Sequence, residues 1–113
     1  KKSFDLMIEK KYDSVFPIVP FSYPVLRGLR LNEERVQMVW PEFINSRSQD
    51  LEIIYHDAGQ FYMVKVENLK LKKILWTDNT GAIILSEMEA QDIDNDIDWK
   101  LAELKYKKCF DEI

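Results

Sequence analysis

The segment from Val15 to Val19 constrains the fold more than any other part of the chain, because it is apolar throughout. Its sequence is Val-Phe-Pro-Ile-Val. A strand with one face in water alternates apolar and polar residues, whereas an uninterrupted apolar run is typical of a strand buried on both faces, as in a parallel sheet. Pro17 and Pro20 cannot donate to a central ladder, so we expect this strand to fray or turn.

The remaining sequence alternates between helical and extended patterns. Helical spacing of apolar residues predicts three helices, over residues 4–12, 67–75 and 96–109. Period-two alternation predicts a hairpin over residues 29–40, and we expect two further strands over residues 60–64 and 82–85. Ser3 is the expected cap of the first helix, and residues 41–50 form a polar, irregular loop. The alternation of helices and strands predicts an α/β fold.

Composition excludes several classes of protein. The 113 residues fit a single domain, and the net charge of −4 argues against a nucleic-acid partner. The longest apolar run without proline, residues 82–85, is far below the roughly 20 residues that a membrane span needs. Cys109 is the only cysteine, so no intrachain disulfide can form, which fits a reducing, cytoplasmic compartment. One cysteine and one histidine do not predict a zinc site.

An acidic alternation between residues 92 and 98 is the strongest local charge feature. Asn95 is a suitable N-cap, and Asp96 and Asp98 would occupy the first helical turn, where the helix dipole favours negative charge. Asp92 and Asp94 precede the helix in extended chain, where residues i and i+2 point to the same side. These two carboxylates are either simple surface acids or a pair that holds Mg²⁺, which binds one or two carboxylates together with water and phosphate oxygens.

Two further polar residues have both a structural and a functional interpretation. Arg47 is either a surface side chain paired with an acid such as Asp50 or a bidentate clamp for a carboxylate ligand. His56, the only histidine, is followed by Asp57 and is either a surface residue or a general base. The three glycines are far apart, so the sequence contains no glycine-rich phosphate loop.

Several segments resemble the acylneuraminate cytidylyltransferases, the CMP-sialic acid synthetases, and they follow in the family's order. They are Trp40-Pro41, Arg47-Ser48-Gln49-Asp50, residues 55–62, Thr77-Asp78-Asn79-Thr80, and residues 89–94 leading into residues 99–103. The resemblance is greatest to the pseudaminic acid branch, through residues 14–17, residues 20–24 and Asp57-Ala58-Gly59-Gln60-Phe61-Tyr62. It extends from Tyr12 to Tyr106, which is typical of family membership rather than of one shared motif.

This resemblance implies a reaction and a metal. The family transfers CMP from CTP to the anomeric hydroxyl of a nine-carbon α-keto acid sugar and releases pyrophosphate. Asp92 and Asp94 match the catalytic aspartates that hold Mg²⁺ on the nucleotide phosphates, where the metal neutralises charge and polarises the α-phosphate. The sialate branch usually carries Arg-x-Asn-Gly where this chain has residues 56–59, so we expect pseudaminic acid or a related sugar rather than N-acetylneuraminate.

The resemblance also assigns residues that bind the sugar. Arg47 matches a basic residue that contacts the sugar carboxylate, and Tyr62 and Trp76 match positions that shape the sugar pocket. We also expect Gln49 and Gln60 to be polar partners for the sugar.

The fold implied by the resemblance is the C-terminal part of a Rossmann-like nucleotidyltransferase sheet. Residues 21–55 match an inserted β-hairpin arm that pairs two subunits and reaches into the partner's active site, so a homodimer is implied. Residues 90–109 match the metal motif and the C-terminal helix. On this interpretation residues 1–113 are one fragment of a cytidylyltransferase domain.

The chain departs from the family pattern at its front. The family binds CTP with an N-terminal half that opens with a Gly- and Arg/Lys-rich loop, and no such loop occurs in these 113 residues. We therefore interpret the chain as the C-terminal half of the enzyme and expect the isolated chain not to transfer CMP. The alternative is a non-catalytic module for dimerisation or metal binding.

Overall fold

The computed structural model describes residues 1–110, which form a mixed α/β fold. Within these residues the helices are α1 (Lys2–Lys10), α2 (Val66–Lys72) and α3 (Asp96–Phe110). The strands are β1 (Ser14–Pro20), β2 (Leu29–Asn32), β3 (Arg35–Met38), β4 (Tyr55–Asp57), β5 (Met63–Val64) and β6 (Thr80–Ile84). The described residues form two compact units, one of residues 1–19 and 56–110 and one of residues 20–55.

Strand β1 is central to the sheet of the larger unit, as its apolar sequence predicts. It pairs with β6 in parallel, in register from Ser14 opposite Thr80 to Ile18 opposite Ile84. It also pairs with β5 in antiparallel orientation, and β4 belongs to the same four-stranded sheet. The sheet is therefore mixed rather than purely parallel.

Pro17 lies in the middle of β1 without interrupting it, so the expectation that this strand frays or turns is wrong. The N–H and C=O of one strand residue point to the same side. The Pro17 carbonyl accepts from the Ala58 N–H at 3.1 Å, so the missing Pro17 donor also faces that side of the sheet. The parallel ladder is unaffected and continues to the Leu85 N–H, which donates to the Ile18 carbonyl at 2.8 Å.

The structure contains the three predicted helices, although one predicted cap and one predicted end differ. Helix α1 begins at Lys2 with Lys1 as its N-cap, and Ser3 lies inside the helix and is buried, so the predicted Ser3 cap is wrong. Helix α2 ends before residue 75 because Lys73 adopts a left-handed conformation with φ 54°. Helix α3 begins as predicted, since the Asn95 side chain accepts from the Asp98 N–H at 2.9 Å.

The strand predicted over residues 60–64 is shorter in the structure. Only Met63 and Val64 pair, whereas Tyr55–Asp57 forms a strand that the sequence pattern did not indicate. The reason is local: residues 58–62 make a turn at Gly59, which has φ 72°. Residues 60–62 therefore follow that turn and do not belong to a strand.

The smaller unit, residues 20–55, contains the predicted hairpin. Strands β2 and β3 pair in antiparallel register, with Leu29 opposite Met38 and Asn32 opposite Arg35. The two loop residues, Glu33 and Glu34, have φ of 48° and 71°, the geometry of a two-residue type I′ turn. Short 3-10 helices at Pro41–Phe43 and Ser48–Asp50 occupy the segment expected to be irregular.

The described core is small and centres on β1. Its buried apolar side chains are Met7, Val15, Phe16, Pro17, Val19 and Ala58. Gly81 of β6 lies against the Tyr12 ring, and a Cβ at this position would clash with that ring. No residue of α3 within Asp96–Phe110 is buried. Among residues 1–110, no helix combines the length and the apolar character that a bilayer crossing requires.

Candidate functional site

Asp92 lies against the turn at Gly59, although the two residues are far apart in sequence. A Cβ placed on Gly59 would lie 3.4 Å from both Cγ and Oδ1 of Asp92. The positive φ of Gly59 also favours glycine at this position. The turn after β4 and the acidic segment before α3 therefore meet in the larger unit.

The carboxylate of Asp57 stabilises this turn by accepting two hydrogen bonds from residues within it. Its Oδ1 accepts from the Gly59 N–H at 2.8 Å, and its Oδ2 accepts from the Tyr62 hydroxyl. The hydrogen bond to Asp57 is the main reason that the pKa of Tyr62 is raised above its ordinary value of 10.0. Partial burial and the negative charges of Asp57 and Asp92 raise that pKa further, so Asp92 is close enough to act on the phenol.

The two aromatic residues predicted to shape the sugar pocket pack on the same core residue. The rings of Tyr62 and Trp76 each meet the Phe16 ring edge to face, with centroid distances of 4.7 and 4.3 Å. Phe16 is buried, whereas Tyr62 is 43% and Trp76 56% exposed. The structure therefore brings these two predicted site residues together, with part of each ring open to solvent.

Gln60 links the turn to the segment before Asp92. Its amide Nε2 donates to the Glu89 carbonyl at 2.8 Å. Glu89 is itself fixed by a capping box, in which its carboxylate accepts from the Ser86 N–H at 3.0 Å. This backbone hydrogen bond is the largest of the effects that lower the pKa of Glu89 below its ordinary value. Gln60 thus has a structural contact at this site, and its predicted role toward the sugar stays a prediction.

Asp94 is held through its main chain. Its N–H donates to Asp98 Oδ2 at 2.9 Å, so the Asp98 side chain reaches back past Asn95, the residue that a standard capping box would use. Within residues 1–110 no hydrogen bond ends on the carboxylate of Asp92 or of Asp94. In the same part of the chain no three Asp, Glu, His or Cys side chains converge into a possible metal site.

The remaining predicted site residues lie elsewhere. Arg47 and Gln49 belong to the smaller unit, and both are exposed. Arg47 Nε pairs with Asp50 Oδ2 at 3.0 Å, the acid partner that the sequence offered as one of two interpretations, and its side chain is 73% exposed. In the larger unit, His56 Nδ1 lies 2.9 Å from the Asp57 carbonyl oxygen, a main-chain atom.

Sequence reasoning missed the role of Asp57 in this site. It weighed Asp57 only as a neighbour of His56, whereas the carboxylate binds Gly59 and Tyr62. The available signal was the order Asp57-Ala58-Gly59, because an aspartate two residues before a glycine commonly accepts that glycine's N–H in a turn. The hydrogen bond from Tyr62 has no comparable short-range signature.

Comparison with curated proteins identifies relatives of this chain, whereas comparison with family models does not. No protein-family model matches the chain. The chain is 43% identical over 81 residues to the Helicobacter pylori protein named pseudaminic acid cytidylyltransferase and UDP-2,4-diacetamido-2,4,6-trideoxy-beta-L-altropyranose hydrolase, a match of 72% of this chain and 16% of that protein. It is 31% identical over 108 residues to the pseudaminic acid cytidylyltransferase of Campylobacter jejuni, covering 95% of this chain and 47% of the relative.

The match to the Campylobacter protein includes nearly all of this chain, and thus both segments that meet at Gly59 and Asp92. The chain spans about half the length of that relative. By sequence, this chain belongs to the pseudaminic acid cytidylyltransferase family.

Proposed function

We propose that this chain is the C-terminal part of a cytidylyltransferase that transfers CMP from CTP to a nine-carbon α-keto acid sugar and releases pyrophosphate. The proposed sugar is pseudaminic acid or a close relative. The observation that carries the proposal is the contact between Gly59 and Asp92. This contact brings together two segments that resemble family motifs, the Asp57-to-Tyr62 turn and the acidic segment before α3.

In this proposal Asp92 and Asp94 hold Mg²⁺. The donor set suits this ion, because Mg²⁺ commonly takes one or two carboxylates and fills its other positions with water and substrate phosphate oxygens. Both side chains are exposed, and within residues 1–110 neither carboxylate accepts a hydrogen bond. When bound, the metal would neutralise negative charge on the nucleotide phosphates and polarise the α-phosphate.

Tyr62 and Trp76 would form one wall of the sugar pocket. Both rings pack on the buried Phe16 ring. The exposed parts of Tyr62 and Trp76 offer a surface for the carbon skeleton of the sugar. Gln60 is tied to the Glu89 carbonyl through Nε2, which leaves its amide oxygen to accept from a sugar hydroxyl.

Residues of the smaller unit have two further proposed roles, one toward a sugar and one in a dimer interface. Arg47 would bind the sugar carboxylate as a clamp by exchanging Asp50 for the ligand, and Gln49 would add a polar contact. The hairpin would join two subunits into a homodimer. Its apolar side chains support this, since Leu29, Leu31 and Val36 are 63%, 75% and 63% exposed.

CTP binding would require residues outside this chain. The chain spans 47% of the Campylobacter relative, and its three glycines are too dispersed for a phosphate-binding loop. The isolated chain would therefore be inactive. The proposed location of the full-length protein is the cytoplasm, since a single cysteine fits a reducing compartment.

The test compares the isolated chain with the full-length protein, meaning the product of the complete reading frame that encodes these residues. Each is given CTP, Mg²⁺ and either pseudaminic, legionaminic or N-acetylneuraminic acid, and pyrophosphate release is measured. We expect turnover by the full-length protein only, with pseudaminic acid preferred.

Two outcomes would contradict the proposal in different ways. Turnover by the isolated chain would show that it needs no further CTP-binding part. A folded full-length protein inactive with all three sugars would contradict the transferase and support the non-catalytic module for dimerisation or metal binding. Size-exclusion chromatography with light scattering of the same samples tests the homodimer.

A further inference from the structure

We propose that Asp57 is a positioning residue for the sugar side of the site, acting through Tyr62 and Gly59. This inference rests on the proposed function and adds a residue to it. It begins from one carboxylate whose two oxygens have different partners. Oδ1 accepts from the Gly59 N–H at 2.8 Å, and Oδ2 accepts from the Tyr62 hydroxyl.

The hydrogen bond from Tyr62 completes the orientation of its ring. The edge-to-face contact with Phe16 fixes one side of the ring, while 43% of the residue remains exposed. Without Asp57, the packing contact alone would hold a ring that is half open to solvent. With Asp57, the phenol is held at both its ring and its hydroxyl, so its open face has one orientation toward a ligand.

The hydrogen bond from Gly59 sets the position of the turn relative to Asp92. Gly59 has φ 72°, and the place its Cβ would occupy is 3.4 Å from Asp92 Oδ1. A shift of the turn would therefore either press on the Asp92 carboxylate or move away from it. Asp57 links the two parts of the site, because one side chain holds both the ring and the turn.

Asp57 acts through these neighbours rather than on the substrate. It is half-buried, and each of its oxygens already accepts a hydrogen bond within the turn. Its replacement should therefore alter how the sugar is bound more than how CTP is bound. A residue with a purely structural role would change neither Michaelis constant once the protein is folded.

The experiment measures kcat and both KM values for the full-length protein with Asp57→Ala, Tyr62→Phe and the double substitution. We expect Asp57→Ala to raise the KM for the sugar about tenfold, the usual scale for one lost hydrogen bond to a charged group, and to leave the KM for CTP within about twofold. Tyr62→Phe should have a similar effect. The double variant should be no worse than Asp57→Ala, because both changes remove the same interaction.

Asp57→Asn is the conservative variant and should be intermediate, since the amide keeps one acceptor oxygen. Asp5→Asn, which removes an exposed charge from α1, is the matched control and should behave as the unaltered protein. Hydrogen exchange at the Gly59 N–H, measured by NMR, is a readout independent of activity, and we expect Asp57→Ala to accelerate it at least about tenfold.

The results separate this inference from the proposed function. If the unaltered protein transfers CMP but Asp57→Ala leaves the sugar KM or the Gly59 exchange unchanged, Asp57 is not a positioning residue. Additive effects of Asp57→Ala and Tyr62→Phe would overturn it as well. If the unaltered protein transfers CMP to none of the sugars, the proposed function is wrong, and the sugar role of Asp57 is wrong with it.

Discussion

Asp13 and the Asp92–Asp94 pair use their carboxylates in opposite ways, although all three lie in the larger unit. Asp13 accepts hydrogen bonds from Asn68 and Thr77, each at 2.9 Å. Longer contacts come from Lys72 at 3.4 Å and Asn79 at 3.5 Å.

The carboxylates of Asp92 and Asp94 accept no such bond within residues 1–110, and both residues are exposed. The fold occupies the oxygens of Asp13 with its own donors, whereas those of the pair remain available. Charge density alone, which singled out residues 92–98 in the sequence, does not separate these cases. The number of hydrogen-bond donors around each carboxylate separates Asp13 from the Asp92–Asp94 pair.

The largest expected effect is on activity, from Asp92→Ala or Asp94→Ala in the full-length protein. We expect the rate of CMP transfer to fall by at least about a hundredfold, because each change removes a proposed metal ligand. The unfolding midpoint should stay close to that of the unaltered protein, because these carboxylates accept no hydrogen bond from any other part of residues 1–110. Pyrophosphate release and thermal unfolding measure the two quantities.

Asp96→Ala is the control for this pair, because it removes the same charge from an exposed position in the first turn of α3. It should retain most of the activity. Near-normal transfer by Asp92→Ala would refute the metal assignment, and a large loss in Asp96→Ala would show that overall negative charge matters rather than the two positions.

Asp13→Ala should show the reverse pattern. We expect the unfolding midpoint to fall by several degrees, because the variant leaves Asn68 and Thr77 without their common acceptor. The activity of each folded molecule should change little. Asp78→Ala, at an exposed position next to Thr77, should shift the midpoint far less. An Asp13 variant that is stable but inactive would show that Asp13 has a functional rather than a structural role.

The sequence predicted those elements that depend on local patterns. Asn95 caps α3, since a side chain and an N–H three residues apart meet in any helix start. The central position of β1 followed from its apolar residues. Strand β4 had no local signal, because three residues of mixed polarity become a strand only by pairing in the sheet. The Ser3 cap failed because the side chain is buried in the fold instead.

The candidate site divides in the same way. Asp92 and Asp94 stood out through spacing and resemblance, and the Asp57-to-Gly59 turn had a local signature. The contact of Gly59 with Asp92 and the packing of Trp76 on Phe16 join residues more than 30 and 50 positions apart. No periodicity encodes such distances, so these two contacts could be recognised only in the folded chain.

Acid should remove the stability that the Asp13 carboxylate contributes to the fold. The hydrogen bond from Thr77 is the largest cause of a pKa of Asp13 below its ordinary value of 3.8, with further lowering by Lys72 and Asn79. A carboxyl whose pKa is lower when folded stabilises the fold above its ordinary pKa, and this contribution is lost as the pH falls through the folded value.

The measurement is thermal unfolding over a pH series that extends below 3.8. The unaltered protein should lose more stability on acidification than Asp13→Asn, whose side chain cannot titrate. Parallel curves for the two proteins would mean that Asp13 contributes no pH-dependent stability.

The smallest effect, from Asn95→Ala, tests whether the geometry of the acidic segment matters apart from its charge. Asn95 caps α3 directly after Asp94, and Asp98 accepts from the Asp94 N–H. We expect a loss of about 1 kcal/mol in the free energy of unfolding, the usual cost of removing such a cap. Asn95→Asp keeps a capping oxygen and serves as the control.

Transfer activity should fall only about twofold in Asn95→Ala, because both carboxylates remain and Asp98 still anchors the Asp94 main chain. If the loss instead matched that of Asp92→Ala, the placement of the segment by its cap would limit the reaction. The pair would then depend on the fold as closely as Asp13 does, and the contrast between occupied and available carboxylates would no longer separate structural from functional aspartates.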